Sequence, residues 1–214
     1  MDLENKISIE TAKILIDLKC INFSPYKQFK LTSGKKSPVY CDCRRLISFP
    51  RQREKLINLS IQKIKASKNF CNINNVAGGE SAGIPFAALI ASKLKLPMSY
   101  IRKEKKKFGK NSQIEGLVLK KDNVVLVEDL MTDGGSKIRF LDAIKESKAV
   151  TKIIFVIFNY GINKKKFSYK KEKIDLISLT DWSTVIQIGI KKNLLKPKDV
   201  EIIKKFLTSI GVKS

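Results

Sequence analysis

The sequence predicts an α/β protein with a central, mostly parallel sheet that is flanked by helices. Continuous apolar runs such as 124–127 and 153–158 are typical of parallel strands that are buried on both faces. They alternate with segments whose apolar residues recur at helical spacing. Glycine pairs at 78–79 and 134–135 follow two of the apolar runs. Because ligands bind beyond the carboxyl ends of such strands, we expect the functional site at these turns.

The first quarter of the chain is expected to hold two helices and a hairpin. Apolar residues along one side predict a helix over about 5–20. The segment 29–42 reads as strand, tight turn and strand, with the turn at 33–36. Pro50 then begins a helix that extends to about Lys65.

From residue 73 onward, strands and helices alternate, which implies a parallel sheet covered on both faces. The expected strands are 73–77, 98–102, 124–127, 153–158 and 174–179. The expected helices are 85–94, 136–145 and a C-terminal helix around 203–210, with a polar loop at 103–112 and a basic loop at 163–173.

Length and composition indicate one folded domain over residues 1–214. Hydrophobic residues make up 43% of the chain, which excludes a disordered class, and no apolar run is long enough to cross a bilayer. The N-terminus lacks a signal-peptide pattern, so we expect a cytoplasmic location. The chain has four cysteines, no histidine and no CxxC pair, which disfavours a zinc site and indicates reduced thiols.

The net charge of +23 is large and has three possible meanings. It could attract nucleic acid, serve phosphorylated small substrates, or reflect a general enrichment in lysine. Aromatic residues are few and are not interleaved with the basic runs. This pattern disfavours nucleic acid as a partner.

The turn after Val127 carries the strongest chemical signal, in the segment VVLVEDLMTDGGSK at 124–137. Glycines let the backbone approach a ligand, and a helix start offers free N–H groups to a phosphate. Glu128 and Asp129 would repel that phosphate, so sugar hydroxyls or a magnesium ion are better partners for them. The segment therefore predicts a sugar-phosphate pocket. The plain alternative is a strand-to-helix turn with an acidic cap.

Two further segments fit a phosphorylated ligand, although each also has a simpler reading. The segment VAGGESAGIPFAALIA at 76–91 could expose amide groups to a diphosphate, or it could be an ordinary tight turn. Six cations stand between residues 102 and 110. They form either a solvated basic loop or a mobile loop that closes over a departing diphosphate.

These motifs resemble those of a known enzyme family. The 124–137 segment is similar to the motif of type I phosphoribosyltransferases that binds 5-phosphoribosyl 1-diphosphate (PRPP). The loop RKEKKKFGKNSQIEG and the stretch FKLTSGKKSPVYCDCRRLISFP at 29–50 resemble the catalytic loop and the base-covering hood of orotate phosphoribosyltransferases. The likeness covers roughly residues 5–160.

The resemblance implies transfer of the phosphoribosyl group of PRPP to orotate, with Mg²⁺ as cofactor but no confident protein ligand for it. It implies a homodimer that shares the flexible loop 103–113, with residues 1–50 as the hood. Implied catalytic residues are Arg102, Lys103, Lys106, Glu128 and Asp129. These five also bind PRPP, together with Leu130, Met131, Thr132, Asp133, Gly134, Gly135 and Ser136. The diphosphate turn comprises Glu80, Ser81, Ala82 and Gly83, and orotate would contact Tyr40, Cys41 and Thr132.

The sequence departs from the family pattern at Thr32, Ala82, Phe108 and Asn159, where many members carry lysine, lysine, histidine and a nearby arginine. These positions bear on base contacts and proton transfer rather than on PRPP. Two alternatives therefore stay open: a phosphoribosyltransferase for another base, and a PRPP-sensing regulator that binds nucleic acid.

Overall fold

The computed structural model describes residues 2–31, 34–105 and 112–212. The helices are α1 (Leu3–Asp17), α2 (Pro50–Lys65), α3 (Gly83–Leu94), α4 (Gly135–Glu146), α5 (Trp182–Lys191) and α6 (Pro197–Ser209). The strands are β1 (Ile21–Phe23), β2 (Phe29–Lys30), β3 (Lys36–Ser37), β4 (Val39–Cys41), β5 (Asn75–Gly79), β6 (Met98–Ile101), β7 (Ile114–Glu115), β8 (Asn123–Met131), β9 (Val150–Asn159), β10 (Lys166–Tyr169) and β11 (Glu172–Asp181).

Seven strands form one sheet in the order β10-β11-β9-β8-β5-β6-β7. The five inner strands are parallel, and β10 and β7 pair antiparallel at the two edges. The predicted α/β class with a mostly parallel sheet is confirmed. Since the inner strands are parallel, the turns that follow β5, β6, β8 and β9 lie side by side at the carboxyl ends of these strands.

Helices cover both faces because consecutive side chains of a strand point in opposite directions. In β8, Val125 and Val127 join one buried cluster, while Val124 and Leu126 join the other. Residues of α1, α2, α3, α5 and α6 fill the first cluster, and α4 packs over the second. The β8 strand is therefore apolar at both sets of positions, as a doubly covered strand requires.

The N-terminal part forms two small antiparallel pairs apart from the main sheet. Strand β2 pairs with β3, which confirms the expected hairpin, but the second expected strand is divided between two partners. Its later residues form β4, which pairs with β1 in the register Ile21 to Cys41. A 3₁₀ turn over 43–48 follows, and Asp42 caps it by accepting a hydrogen bond from the N–H of Arg44.

Several elements were not expected from the sequence. The basic stretch 163–173 is not a continuous loop, because β10 lies within it and pairs with β11. Its side chains alternate between exposed Lys166 and Ser168 and buried Phe167 and Tyr169, and the abundant lysines concealed that period. Strand β1, helix α5 and the two-residue strand β7 were also not expected. No helix within the described ranges is long and apolar enough to cross a membrane.

Candidate active site

Glu128 and Asp129 lie inside β8 rather than after it. The strand continues to Met131, four residues beyond the apolar run that predicted it, and Glu128 stands opposite Val156 of β9. Only 6% of Glu128 and 8% of Asp129 is exposed. Burial of two adjacent carboxyl groups carries a large desolvation cost, which is typical of functional positions.

The carboxylate of Glu128 is held by one cation and enclosed by glycines. Lys137 Nζ donates to Glu128 Oε2 at 2.9 Å, and Lys137 is itself buried. The other oxygen, Oε1, is buried and has no hydrogen-bond partner among the described residues. A Cβ on Gly79 or Gly83 would come within 2.6 or 2.8 Å of Oε1. Burial raises the pKa of Glu128 to about 7, and the opposing field of Lys137 is weaker than this effect.

Asp129 is influenced by groups on both sides of the site. Burial raises its pKa, while the field of Lys137 and the N–H of Leu130 act in the opposite direction. The Leu130 N–H donates to Asp129 Oδ1 at 2.8 Å. The field of Arg44 also lowers this pKa, which locates the end of the 29–50 stretch beside β8.

The predicted phosphate loop, 132–136, is ordered by its own side chains. Asp133 Oδ1 accepts from the N–H of Gly135 at 3.1 Å and from Thr132 Oγ1 at 3.2 Å, and the Gly135 bond is the main cause of a lowered Asp133 pKa. Gly134 has φ +92°, and a Cβ there would lie 2.3 Å from the Phe167 ring. Residue 134 therefore needs glycine for both conformation and space.

Hydrogen bonds from the turn after β9, which the sequence did not predict, hold this loop in place. Asn163 Nδ2 donates to the carbonyl of Asp133 at 3.1 Å, and Asn159 Nδ2 donates to the carbonyl of Asn163 at 2.7 Å. The Gly161 N–H donates to Asn159 Oδ1 at 2.9 Å. The available signal was Asn-Tyr-Gly, since an asparagine that accepts from the N–H two residues later is a common turn former. Asn159, noted as a family departure, thus supports the phosphate loop.

The predicted diphosphate turn connects β5 to α3 and comprises Glu80, Ser81 and Ala82, with Gly83 as the first residue of the helix. The Glu80–Ser81 peptide bond is cis. A Cβ on Gly83 would lie 2.3 Å from the carbonyl oxygen of Val127, so α3 can approach β8 this closely only with glycine here. Glu80 Oε2 accepts from the N–H of Lys103 at 2.7 Å, which links this turn to the start of the cationic loop.

The cationic loop also begins at the carboxyl ends of the inner strands, after β6. Arg102 follows β6 and exchanges hydrogen bonds with Gln113, and its Nη1 lies 3.9 Å from Glu115 Oε1. Lys103 is exposed, while Lys105 pairs with Glu146 of α4 at 2.7 Å. Lys106 and Phe108 lie outside the described residues, as does Thr32 of the hood.

The proposed base contacts differ in accessibility. Tyr40 is half-buried, and its ring lies 5.7 Å from that of Phe29. Cys41 is buried, with its Sγ 3.6 Å from Cys43 Sγ. Burial, together with the fields of Cys41, Cys43 and Tyr40, raises the pKa of Tyr160, so the turn after β9 lies close to the hood. The 29–50 stretch therefore lies beside the acids, although contact with a base stays a prediction.

Within the described ranges, no group of three or more acidic or cysteine side chains is arranged to hold a metal ion. The acids of β8 supply oxygen atoms, which suit Mg²⁺, but Mg²⁺ also keeps waters and is commonly bound through substrate phosphates. The role of magnesium stays a prediction.

Known proteins share both the sequence pattern and the architecture. The family described as "Phosphoribosyl transferase domain" matches residues 51–189. The orotate phosphoribosyltransferase of Dinoroseobacter shibae is 40% identical over 198 residues, which cover 92% of this chain and 88% of that protein. That of Cereibacter sphaeroides is 49% identical over 152 residues, 71% of this chain and 66% of the relative.

The fold is also similar to that of a solved structure. The orotate phosphoribosyltransferase from Aeropyrum pernix superposes with a TM-score of 0.68 at 25% identity, over 83% of this chain and 96% of that one. The fold, the acid pair between two glycine turns and these likenesses agree, and the chain belongs to the orotate phosphoribosyltransferase family within the phosphoribosyl transferases.

Proposed function

We propose that this chain transfers the 5-phosphoribosyl group of PRPP to orotate, giving orotidine 5′-monophosphate and diphosphate in pyrimidine synthesis. The observation that carries the proposal is the meeting of the acid pair with two glycine turns at one sheet edge. Similar relatives from Dinoroseobacter shibae and Cereibacter sphaeroides are named for this activity. In the reaction, the bond from C1 of ribose to the diphosphate oxygen breaks and its electrons leave with diphosphate. A ring nitrogen of orotate bonds to C1, and the proton of that nitrogen passes to the departing diphosphate.

The 5-phosphate is assigned to the 132–136 loop at the start of α4. Backbone N–H groups and the partial positive charge at a helix N-terminus stabilise a phosphate. The hydroxyls of Thr132 and Ser136 add donors. In the ligand-free chain the Asp133 carboxylate accepts from Gly135 N–H and Thr132 Oγ1, so these two donors must change partner when the phosphate binds.

The acids are assigned to the ribose. Positive charge develops on the sugar as the bond to diphosphate breaks, and a preorganised negative charge stabilises it. Asp129 is the more direct candidate for a ribose hydroxyl, because Glu128 Oε1 is enclosed by the diphosphate turn. Contact between Glu128 and the sugar requires that turn to shift when PRPP binds.

Departure of the diphosphate needs cations. Arg102, Lys103 and Lys106 would stabilise its charge, and Lys103 is already linked to the diphosphate turn through Glu80. Bound Mg²⁺ would supply further neutralisation of the phosphate oxygens. We assign no described residue as its ligand.

Recognition of orotate must satisfy its carboxylate. Arg44 is the hood cation that lies in the fields of both Asp129 and Tyr40, which help to raise its pKa, and Asp42 Oδ1 holds its Nε at 2.6 Å. A guanidinium oriented in this way can present its terminal nitrogens to a carboxylate. We therefore assign Arg44 to the orotate carboxylate, with Tyr40, Cys41 and Thr132 around the ring.

The homodimer that shares loop 103–113 and the cytoplasmic location belong to the same proposal. Free thiols at Cys20, Cys41, Cys43 and Cys71 support a reducing compartment. Sedimentation of the purified protein would test the dimer. A monomer with full activity would contradict sharing of the loop.

The first test follows the loss of orotate absorbance after mixing with PRPP and Mg²⁺. We expect turnover by the unaltered chain and a loss on the order of hundredfold in kcat for Lys103→Ala. Lys93→Ala is the matched control, since Lys93 pairs with Glu54 near the far end of α3 and should keep full activity. If PRPP binds but orotate is not consumed, the orotate assignment fails, and a panel of other bases distinguishes a changed substrate from a sensor.

A further inference from the structure

One lysine of the site has no role in the assignments above. Among the described residues, Lys137 is the one buried lysine, with 4% of its surface exposed in a chain that is rich in lysine. Lysine is rarely buried unless it is paired, because removing its charge from water is costly. Its position in the first turn of α4 therefore needs a specific reason.

The contacts of Lys137 connect the parts of the site that bind different groups of PRPP. Its Nζ donates to Glu128 Oε2 at 2.9 Å and to Ser136 Oγ at 3.2 Å. Glu128 Oε1 in turn lies beside Gly79 at the end of β5 and Gly83 of the diphosphate turn. A continuous path thus runs from the 5-phosphate loop, through Lys137 and Glu128, to the diphosphate turn.

Neighbouring elements offer no second cation to Glu128. Beside it, β5 contributes Gly79, α3 contributes Gly83 and β9 contributes Val156, all without charge. The adjacent acid, Asp129, repels it. Among these facing groups, Lys137 is the only one that carries a positive charge, and a weaker backbone interaction with Gly83 acts in the same direction.

We propose that Lys137 is a positioning residue, which acts by holding the Glu128 carboxylate in the geometry that PRPP requires. The inference rests on the proposed function and deepens it. Direct contact with the 5-phosphate is a different role, and the buried Nζ, already bonded to Glu128 and Ser136, argues against it.

A purely structural role of the Lys137–Glu128 pair and a positioning role predict different effects of substitution on the reaction rate. Replacing a buried pair by uncharged groups often changes stability little, whereas loss of aligned charge lowers the rate. The decisive comparison is therefore between Lys137→Met alone and Lys137→Met in a Glu128→Gln background. If Lys137 acts through Glu128, Lys137→Met should lower the rate of the unaltered chain but should lower the rate of Glu128→Gln hardly at all.

The experiment measures kcat and the KM values for PRPP and orotate, with thermal unfolding to verify folding. We expect Lys137→Met to lower kcat about tenfold to hundredfold, leave KM for orotate unchanged, and add less than about twofold to Glu128→Gln. Lys137→Arg should recover part of the rate. Lys145→Met removes one exposed charge from the same helix, where Lys145 pairs with Glu172, and should match the unaltered chain.

An unchanged kcat in folded Lys137→Met, or losses that multiply with Glu128→Gln, would overturn the proposal. If Lys137→Met does not fold, the same comparison is made with Lys137→Arg, for which full independence from Glu128→Gln is the contradicting result. If the unaltered chain consumes no orotate, calorimetric binding of PRPP replaces kcat. The positioning role then predicts that Lys137→Met weakens PRPP binding in the unaltered chain but hardly weakens it further in Glu128→Gln. Failure of the orotate proposal can therefore be distinguished from failure of the positioning proposal.

Discussion

The phosphate-binding half of the site and the base-facing half are built by different means. In the phosphate half, strand ends, glycines and buried acids fix the geometry through the backbone, as at Gly83 and Gly134. In the base-facing half, strand β4 and the 43–48 turn, both outside the main sheet, bring Tyr40 and Arg44 toward the acids, and these side chains remain partly exposed. The proposed phosphate contacts therefore come from short local segments, whereas the proposed base contacts depend on side chains that separate segments bring together.

The largest expected effect comes from crowding the phosphate half. In Gly83→Ala, the new Cβ would lie 2.3 Å from the Val127 carbonyl oxygen, a backbone atom that cannot rotate away. We expect a loss on the order of 3 kcal/mol in the free energy of unfolding, measured by urea denaturation. Gly135→Ala is the control, since its Cβ would meet Asp133 only at an ordinary 3.7 Å and should change stability by less than about 0.5 kcal/mol. Equal stability of the two variants would contradict the close-approach argument.

Glu128 should make stability depend on pH within the phosphate half. Its pKa in the folded protein is about 7, above the ordinary 4.5, so the folded state holds a proton that the unfolded state has already lost between these values. Stability should therefore fall as pH rises from about 4.5 to 7, by on the order of 2 to 3 kcal/mol from this group. Urea denaturation of ligand-free Glu128→Gln should show a flatter profile across that window. A profile parallel to that of the unaltered chain would show that Glu128 titrates normally.

The same contrast explains how much could be predicted from sequence. The order of strands and helices, the acid pair and both glycine turns were visible because each lies within one short segment. The edge strand β10 was hidden, because lysines at its exposed positions made Phe167 and Tyr169 look like parts of a basic loop. Helix α5 was not predicted either, although Trp182 and Val185 are among its buried residues.

Within the site, contacts between segments were beyond the reach of the sequence. Lys137 stood in the motif but looked like any surface lysine, and only the packing of α4 against β8 makes it the partner of Glu128. The Asn163 bond to the Asp133 carbonyl joins residues thirty positions apart. Such pairings depend on the register between neighbouring strands, which periodicity within one segment does not determine.

The smallest expected effect lies in the base-facing half. Arg44 is largely exposed and is oriented by Asp42 rather than by burial, so its interaction with the orotate carboxylate should be worth about 1 kcal/mol. Arg44→Gln should raise KM for orotate about fivefold and leave KM for PRPP nearly unchanged, as measured by steady-state kinetics. Lys93→Gln, which removes a cation that pairs with Glu54 near the far end of α3, is the control and should alter neither value. If Arg44→Gln instead raised KM for PRPP, Arg44 would contact PRPP. The hood would then contribute to phosphate binding, which would contradict its assignment to the base-facing half alone.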